Sequence, residues 1–296
     1  MIKLITTICM ALWVLNSYAQ EFSTHWISYP LPIDSSEVLF CHTYRLKRCP
    51  QEAYLTFATS GYLRIYVNER NISKDITFLN QDTTHLAIQT YNITPLLHSG
   101  DNCISVWYAP AEGCAISKQL SLEFYGTKQN GEAFYHQANG DWLCQILKGS
   151  FIKGAKETFD SRYYDYNWKS TNYNRRHWLH PLGAYWHDKS YTATCNLFFN
   201  ENTHLQYTFK PVEIRLNSDH LEYDLNRIAK GTLRLTLRGA HKGETLHIND
   251  FTYICNGEMD EQAFCRFTQS ESRTISVKGS QTFKNQHITN VEYLEF

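Results

Sequence analysis

The sequence has no excess of charge of either sign. Its 296 residues carry 28 Lys and Arg against 29 Asp and Glu. That balance excludes a partner held by a basic surface, as nucleic acid is. Beyond the N-terminus no apolar run approaches the length of a membrane-spanning helix, so no membrane span is expected. There is no Cys-x-x-Cys pair, the usual signature of a thiolate zinc site or a redox dithiol. A glycine-rich phosphate loop and a Gly-x-Ser-x-Gly elbow are also missing. Charged residues make up only 19% of the chain against 43% hydrophobic, which excludes disorder and allows a large core. Helical periodicity is nearly absent.

Aromatic residues and short alternating runs are what the chain does have. Ala53–Ala58, Tyr62–Val67, Cys103–Tyr108 and Leu120–Tyr125 alternate and stop at Gly, Asn or Pro. Val212–Leu216, His220–Asp224, Gly231–Gly239, Glu244–Ile248 and Thr274–Val277 repeat the logic in the second half, with Leu233, Leu235 and Leu237 on one face. Such alternation places one face on a core and the other in water. Many short strands between turn signals predict an all-β fold of two β-sandwich, jelly-roll-like domains. Three segments are expected: a leader at 1–19, a first sandwich at 20–204, and a second at 205–296. A long aromatic excursion at about 160–188 interrupts the first sandwich.

Met1–Ala19 has one Lys, an apolar stretch from Leu4 to Leu15, and a small-x-small end at Ser17-Tyr18-Ala19. This is the pattern of a secretory signal peptide, so an exported protein is expected, periplasmic or extracellular after cleavage. Cys9 lies within that leader. The other eight cysteines, Cys41, Cys49, Cys103, Cys114, Cys144, Cys195, Cys255 and Cys265, permit disulfides in an oxidising compartment. The turn around Pro110–Gly113 makes Cys103 with Cys114 the first pairing to consider.

Two loop clusters could supply the paired carboxylates that a glycosidase needs, Glu157/Asp160/Asp165 and Glu258/Asp260/Glu261. Both read more simply as solvated loop charges, so no catalytic residue is assigned. Asp160 and Arg162 read as a structural charge pair. His177, His180 and His187 offer nitrogens, but no patterned carboxylate completes a set, so no metal site is assigned. Crowded aromatic residues between Tyr163 and Trp186 are the remaining functional signal. Sugar recognition wants a ring for the apolar face of a pyranose and polar groups for its hydroxyls. Trp168, Tyr173, Arg176, Trp178, Tyr185 and Trp186 are therefore the carbohydrate-binding candidates, against the alternative that these rings fill an interface.

Ala53-x-Leu-x-Phe-Ala-x-x-Gly61-Tyr62-x-x-x-Tyr66-Val67-Asn68, followed by Tyr91-Asn92-Ile93-Thr94 and Gly100-Asp101-Asn102, resembles a galactose-binding-like jelly roll. Trp142, Phe159-Asp160-Ser161-Arg162 and Trp168 resemble a "Y-D-A-R…W" stretch of bacterial α-L-rhamnosidases of glycoside hydrolase family 78. Tyr223–Gly231 resembles that family's "D-F-G-x-N-x-A-G", and Val291–Glu295 its "F-R-Y-V-E". The match departs at Asn226, Ile228 and Asp250.

The resemblance implies the non-catalytic β-domains of such an enzyme. Its catalytic (α/α)6 barrel would lie beyond Phe296, and nothing in this sequence corresponds to it. The expectation is a secreted, non-catalytic carbohydrate-binding protein acting in glycan recognition or degradation. A rhamnose-containing polysaccharide is the suspected glycan. A truncated or split rhamnosidase needing a separately encoded catalytic domain is the alternative, and an envelope protein-interaction module is another. No cofactor is expected, apart from the structural calcium that the resemblance allows.

Overall fold

The computed structural model describes residues 25–31, 35–59, 61–73, 89–110, 119–185, 207–215 and 220–296. The leader, Cys114, Cys195, Trp186, His187 and the expected boundary at 204/205 lie outside these residues.

The first half contributes β1 (His25–Ser28), β2 (Ser36–Leu46), β3 (Glu52–Thr59), β4 (Gly61–Val67), β5 (Arg70–Asn71) and β6 (Gln89–Asn92). It continues with β7 (Gly100–Pro110), β8 (Gln119–Thr127), β9 (Ala133–Gln137), β10 (Leu143–Lys153), β11 (Lys156–Asp160) and β12 (Leu182–Tyr185). Then follow β13 (Tyr207–Phe209), β14 (Val212–Arg215), β15 (His220–Leu237), β16 (Thr245–Ile248), β17 (Phe251–Ile254), β18 (Glu261–Ala263), β19 (Ser270–Gly279) and β20 (Ile288–Glu295). Helical structure among the described residues is confined to four short 3-10 turns, and no helix is long and apolar enough to cross a membrane. The fold is all-β.

A six-stranded sheet runs β12-β1-β8-β3-β6, with β9 beside β8. The second sheet runs β13-β20-β15-β19-β16-β17-β11-β10-β2-β7-β4-β5, with β14 and β18 also on β15. The two halves meet inside it, where β11 lies parallel to β17 with Glu157 opposite Phe251.

One core lies between the six-stranded sheet and β2, β4 and β7, and includes Ile27, Phe40, Leu55, Ile65, Val106, Leu122 and Phe124. The other lies on the opposite face of β2 and β7, where Leu39, Cys41 and Trp107 join Phe159, Trp168, Leu233, Leu235 and Tyr253. The alternation expected to leave one face of each strand in water therefore fails at β7, which is buried from Asn102 to Ala109. Its outer face is covered by the excursion and by the second half of the chain.

Local chemistry explains most turns. Asn68 and Glu69 both have positive φ, 48° and 69°, in the two-residue loop that closes the β4–β5 hairpin. Asn68 Nδ2 donates to Leu96 O and Asn102 Oδ1, and its Oδ1 accepts from Cys103 N. Gly61, the glycine after the Ala53–Ala58 run, is a strand residue opposite Pro110. A Cβ there would sit 2.3 Å from Ala109 O, so only glycine fits. Two predicted strands in the second half, His220–Asp224 and Gly231–Gly239, are one long strand, β15. Its register shifts between Asp224 and Ala229, where Asn226 takes a φ of 62°.

Candidate functional site

The excursion is a cap rather than a platform. Trp168 is 1% exposed, set edge-on to Tyr66 at 5.8 Å and stacked with Trp178 at 6.2 Å. Trp178 is buried too, and half-buried Tyr173 packs edge-on against it. Arg175 binds the cap together, donating from Nη2 to Trp168 O at 2.7 Å and Ser170 O at 2.6 Å. Trp168 and Trp178 thus offer no face to a sugar; they fill the second core. Arg176 is exposed and donates to His177 Nε2. The backbone of Tyr185 pairs with His25 at the end of β12, and Trp186 lies outside the described residues. Among the described residues of this segment, Tyr163 and Tyr166 are exposed tyrosine rings.

The carboxylate clusters do not form a catalytic pair. Glu157 is fully buried rather than solvated. It accepts from the backbone N–H groups of Arg266, Phe267 and Thr268 and from Thr268 Oγ1, tying β11 to the loop after β18. Asp160, also buried, holds Arg162 through two side-chain hydrogen bonds of 2.8 and 2.7 Å. Gly149, φ 71°, lies against it; a Cβ there would be 2.8 Å from Asp160 Cβ. Buried Glu261 accepts from Tyr253 Oη, Ser161 Oγ, Asn256 N and Gly257 N. Asp260 pairs with Arg238 at the surface. Three of these six carboxylates are therefore structural acceptors, and the expectation of solvated loops is wrong for them because both halves converge there.

His177 and His180 do not converge on a metal. His180 Nδ1 instead donates to Gly140 O at 2.7 Å. No group of three or more His, Cys, Asp or Glu side chains that could hold a metal ion is found among the described residues.

A different place in the first half has the makings of a site. As β2 leaves the sandwich, its inward face changes from Val38 and Phe40 to His42 and Tyr44. β9 runs along β8 with Tyr135, His136 and Gln137, and the chain then turns through Asn139-Gly140-Asp141 into Trp142. That turn is built locally: Asn139 Oδ1 accepts from Asp141 N at 2.9 Å, and Asn139 O from Trp142 N. His180 on Gly140 O and the paired backbones of Leu179 and Cys144 fix it from behind.

Between these elements opens a cleft of about 580 Å³, lined by His25, His42, Thr43, Tyr44, Arg45, Tyr135, His136, Gln137, Asn139, Asp141 and Trp142. Its floor is a run of rings. His42 stacks on Trp142 at 5.8 Å and meets Tyr44 edge-on at 4.4 Å. Tyr44 in turn contacts Phe124 at 4.9 Å and His136 at 5.2 Å. The rim is polar, and Gln137 Nε2 donates to Tyr135 Oη at 2.6 Å.

Two floor atoms stand out. Tyr44 Oη and Trp142 Nε1 are sealed beneath the floor and interact with each other, with no other hydrogen-bond partner among the described residues. Burial raises the Tyr44 phenol above its ordinary value, which keeps it a neutral donor and acceptor. Burial also lowers the His42 imidazole below its ordinary value. The cleft is not legible in the sequence, because its residues come from three separate stretches and only Trp142 belongs to a recognisable pattern.

No protein-family model matches the chain, and no curated protein matches it in sequence. Solved structures do. An α-L-rhamnosidase from Dictyoglumus thermophilum superposes with a TM-score of 0.77 at 14% identity, over 93% of this chain and 36% of that one. The native α-L-rhamnosidase of Aspergillus terreus gives 0.74 at 15% identity, over 92% and 36%. The Streptomyces avermitilis α-L-rhamnosidase complexed with L-rhamnose gives 0.74 at 18% identity, over 89% and 29%. This chain therefore spans about a third of the length of these enzymes and shares the fold of an all-β part of them.

Proposed function

We propose that this chain is an exported, non-catalytic carbohydrate-binding protein that holds a glycan in the cleft floored by Tyr44 and Trp142. The observation that carries the reading is a cleft of about 580 Å³ floored by the rings of His42, Tyr44 and Trp142 and rimmed by polar side chains. Tyr135 and His42 offer ring surface to the C–H face of a pyranose, and Asn139, Asp141 and Arg45 offer rim contacts for outer hydroxyls. The fold shared with α-L-rhamnosidases makes a rhamnose-containing polysaccharide the first glycan to try. One open subsite implies weak binding, on the order of millimolar, or about −4 kcal/mol.

Affinity electrophoresis in gels containing rhamnose-rich polysaccharides tests this. Retardation of the wild-type chain is expected, reduced about tenfold in affinity by Tyr135→Ala, which removes an exposed ring from the cleft lining. If a broad set of glycans fails to retard the wild type, the reading is lost.

A second reading follows from the length match: the chain works with a separately encoded catalytic domain as a split rhamnosidase. Under either reading, the purified chain alone releases no rhamnose from an aryl rhamnoside.

A further inference from the structure

Beneath the excursion two thiols meet. The β2–β7 register sets Cys41 opposite Ser105 and Thr43 opposite Cys103, so Cys41 and Cys103 are diagonal neighbours on one face. Their Sγ atoms are 2.9 Å apart, and both side chains are sealed from solvent. Ser105 Oγ lies 3.2 Å from Cys103 Sγ and 3.5 Å from Cys41 Sγ, and Arg175 Nη2 lies 3.5 Å from Cys103 Sγ. Cys49 and Cys144 turn instead to the carbonyls of Leu97 and Leu179.

We propose that Cys41 and Cys103 form a disulfide when the chain folds in an oxidising compartment, cross-linking β2 to β7 under the excursion. Chain separation of 62 residues makes the link a long-range constraint on the unfolded chain.

The oxidant is a disulfide, either of a thiol–disulfide oxidoreductase or of a small molecule such as oxidised glutathione. Cys103 thiolate attacks one oxidant sulfur and expels the other as a thiolate, giving a mixed disulfide. Cys41 thiolate then attacks Cys103 Sγ and expels the second oxidant thiolate. Two thiol protons pass to water or base, and two electrons stay with the oxidant as its reduced thiols. Since both sulfurs are sealed in the finished fold, the exchange occurs before the excursion docks. Cys103 has one bond to give, so this pairing replaces the Cys103–Cys114 bridge suggested by the sequence.

The test is independent of glycan binding. The full chain is refolded in a mixture of reduced and oxidised glutathione, alkylated in denaturant without reductant, digested and analysed by mass spectrometry. A peptide pair linking Cys41 to Cys103 is expected, lost on reduction and absent from Cys41→Ser. The unfolding midpoint of the oxidised chain should lie several degrees above that of the reduced chain. Recovery of Cys41 and Cys103 as alkylated thiols would overturn the proposal, as would Cys103 linked to Cys114 or any other partner.

Discussion

Tyr44 and Glu157 illustrate opposite fates for a buried polar group. Glu157 is saturated: its carboxylate collects three backbone N–H groups and a hydroxyl from 266–268. Glu157→Ala strands those donors, and a loss of at least about 3 kcal/mol is expected in urea unfolding. A loss below about 1 kcal/mol would show that the loop finds other acceptors. Tyr44 Oη has only the Trp142 indole beside it, so Tyr44→Phe should cost no more than about 1 kcal/mol.

His42, in the same cleft, ties stability to pH. Burial lowers its imidazole, His136 across the cleft adds to the effect, and Asp141 opposes it. The unfolded chain then takes up a proton near the ordinary value of 6.5 more readily than the folded chain does. His42's contribution is complete above about that pH and is lost as pH falls below it. The urea midpoint should drop between pH 7.5 and 5.5, and His42→Gln should narrow the drop. An equal drop in the variant would assign the pH dependence to other groups.

At the scale of elements, the excursion corrects the sequence reading most sharply. Its lack of periodicity was legible, and so was its aromatic content, but not which way the rings face. Trp168 and Trp178 are buried because β2 and β7 carry apolar residues on both faces, and the excursion covers the outer one. Trp178→Ala should cost about 3–5 kcal/mol, as for other buried large rings, while the folded fraction keeps its glycan affinity. A selective loss of binding without loss of stability would restore Trp178 as a contact residue.

Strand positions, by contrast, were read correctly at β3, β4, β7 and β8, and on β15 Leu233, Leu235 and Leu237 share one buried face. The cleft stayed hidden for a geometric reason. His42 and Tyr44 continue an alternating strand, and only the approach of β9 and the Asn139–Trp142 turn makes their position a site.

Across the whole molecule, the first and second halves share a sheet through β11 and β17 and a core through Trp107, Phe159, Tyr253 and Phe267. No local pattern in the sequence announces a parallel pair between strands so far apart. Shared burial of this kind couples the halves, so a single cooperative transition is expected in calorimetry. Two resolved transitions would mean that the shared core is weaker than the two separate ones.

The account rests most heavily on the cleft as the place where a glycan binds. Two-dimensional NMR titration of the folded chain with rhamnose and rhamnose-containing oligosaccharides tests it directly. Saturable shifts are predicted for the Trp142 indole N–H and for the amides of His42–Arg45 and Tyr135–Asp141. Tyr135→Ala should weaken them, and signals from Tyr173–Trp178 should stay fixed. Shifts confined to the Tyr163–Trp178 segment, or none with any glycan at concentrations of several times the expected millimolar constant, would contradict it.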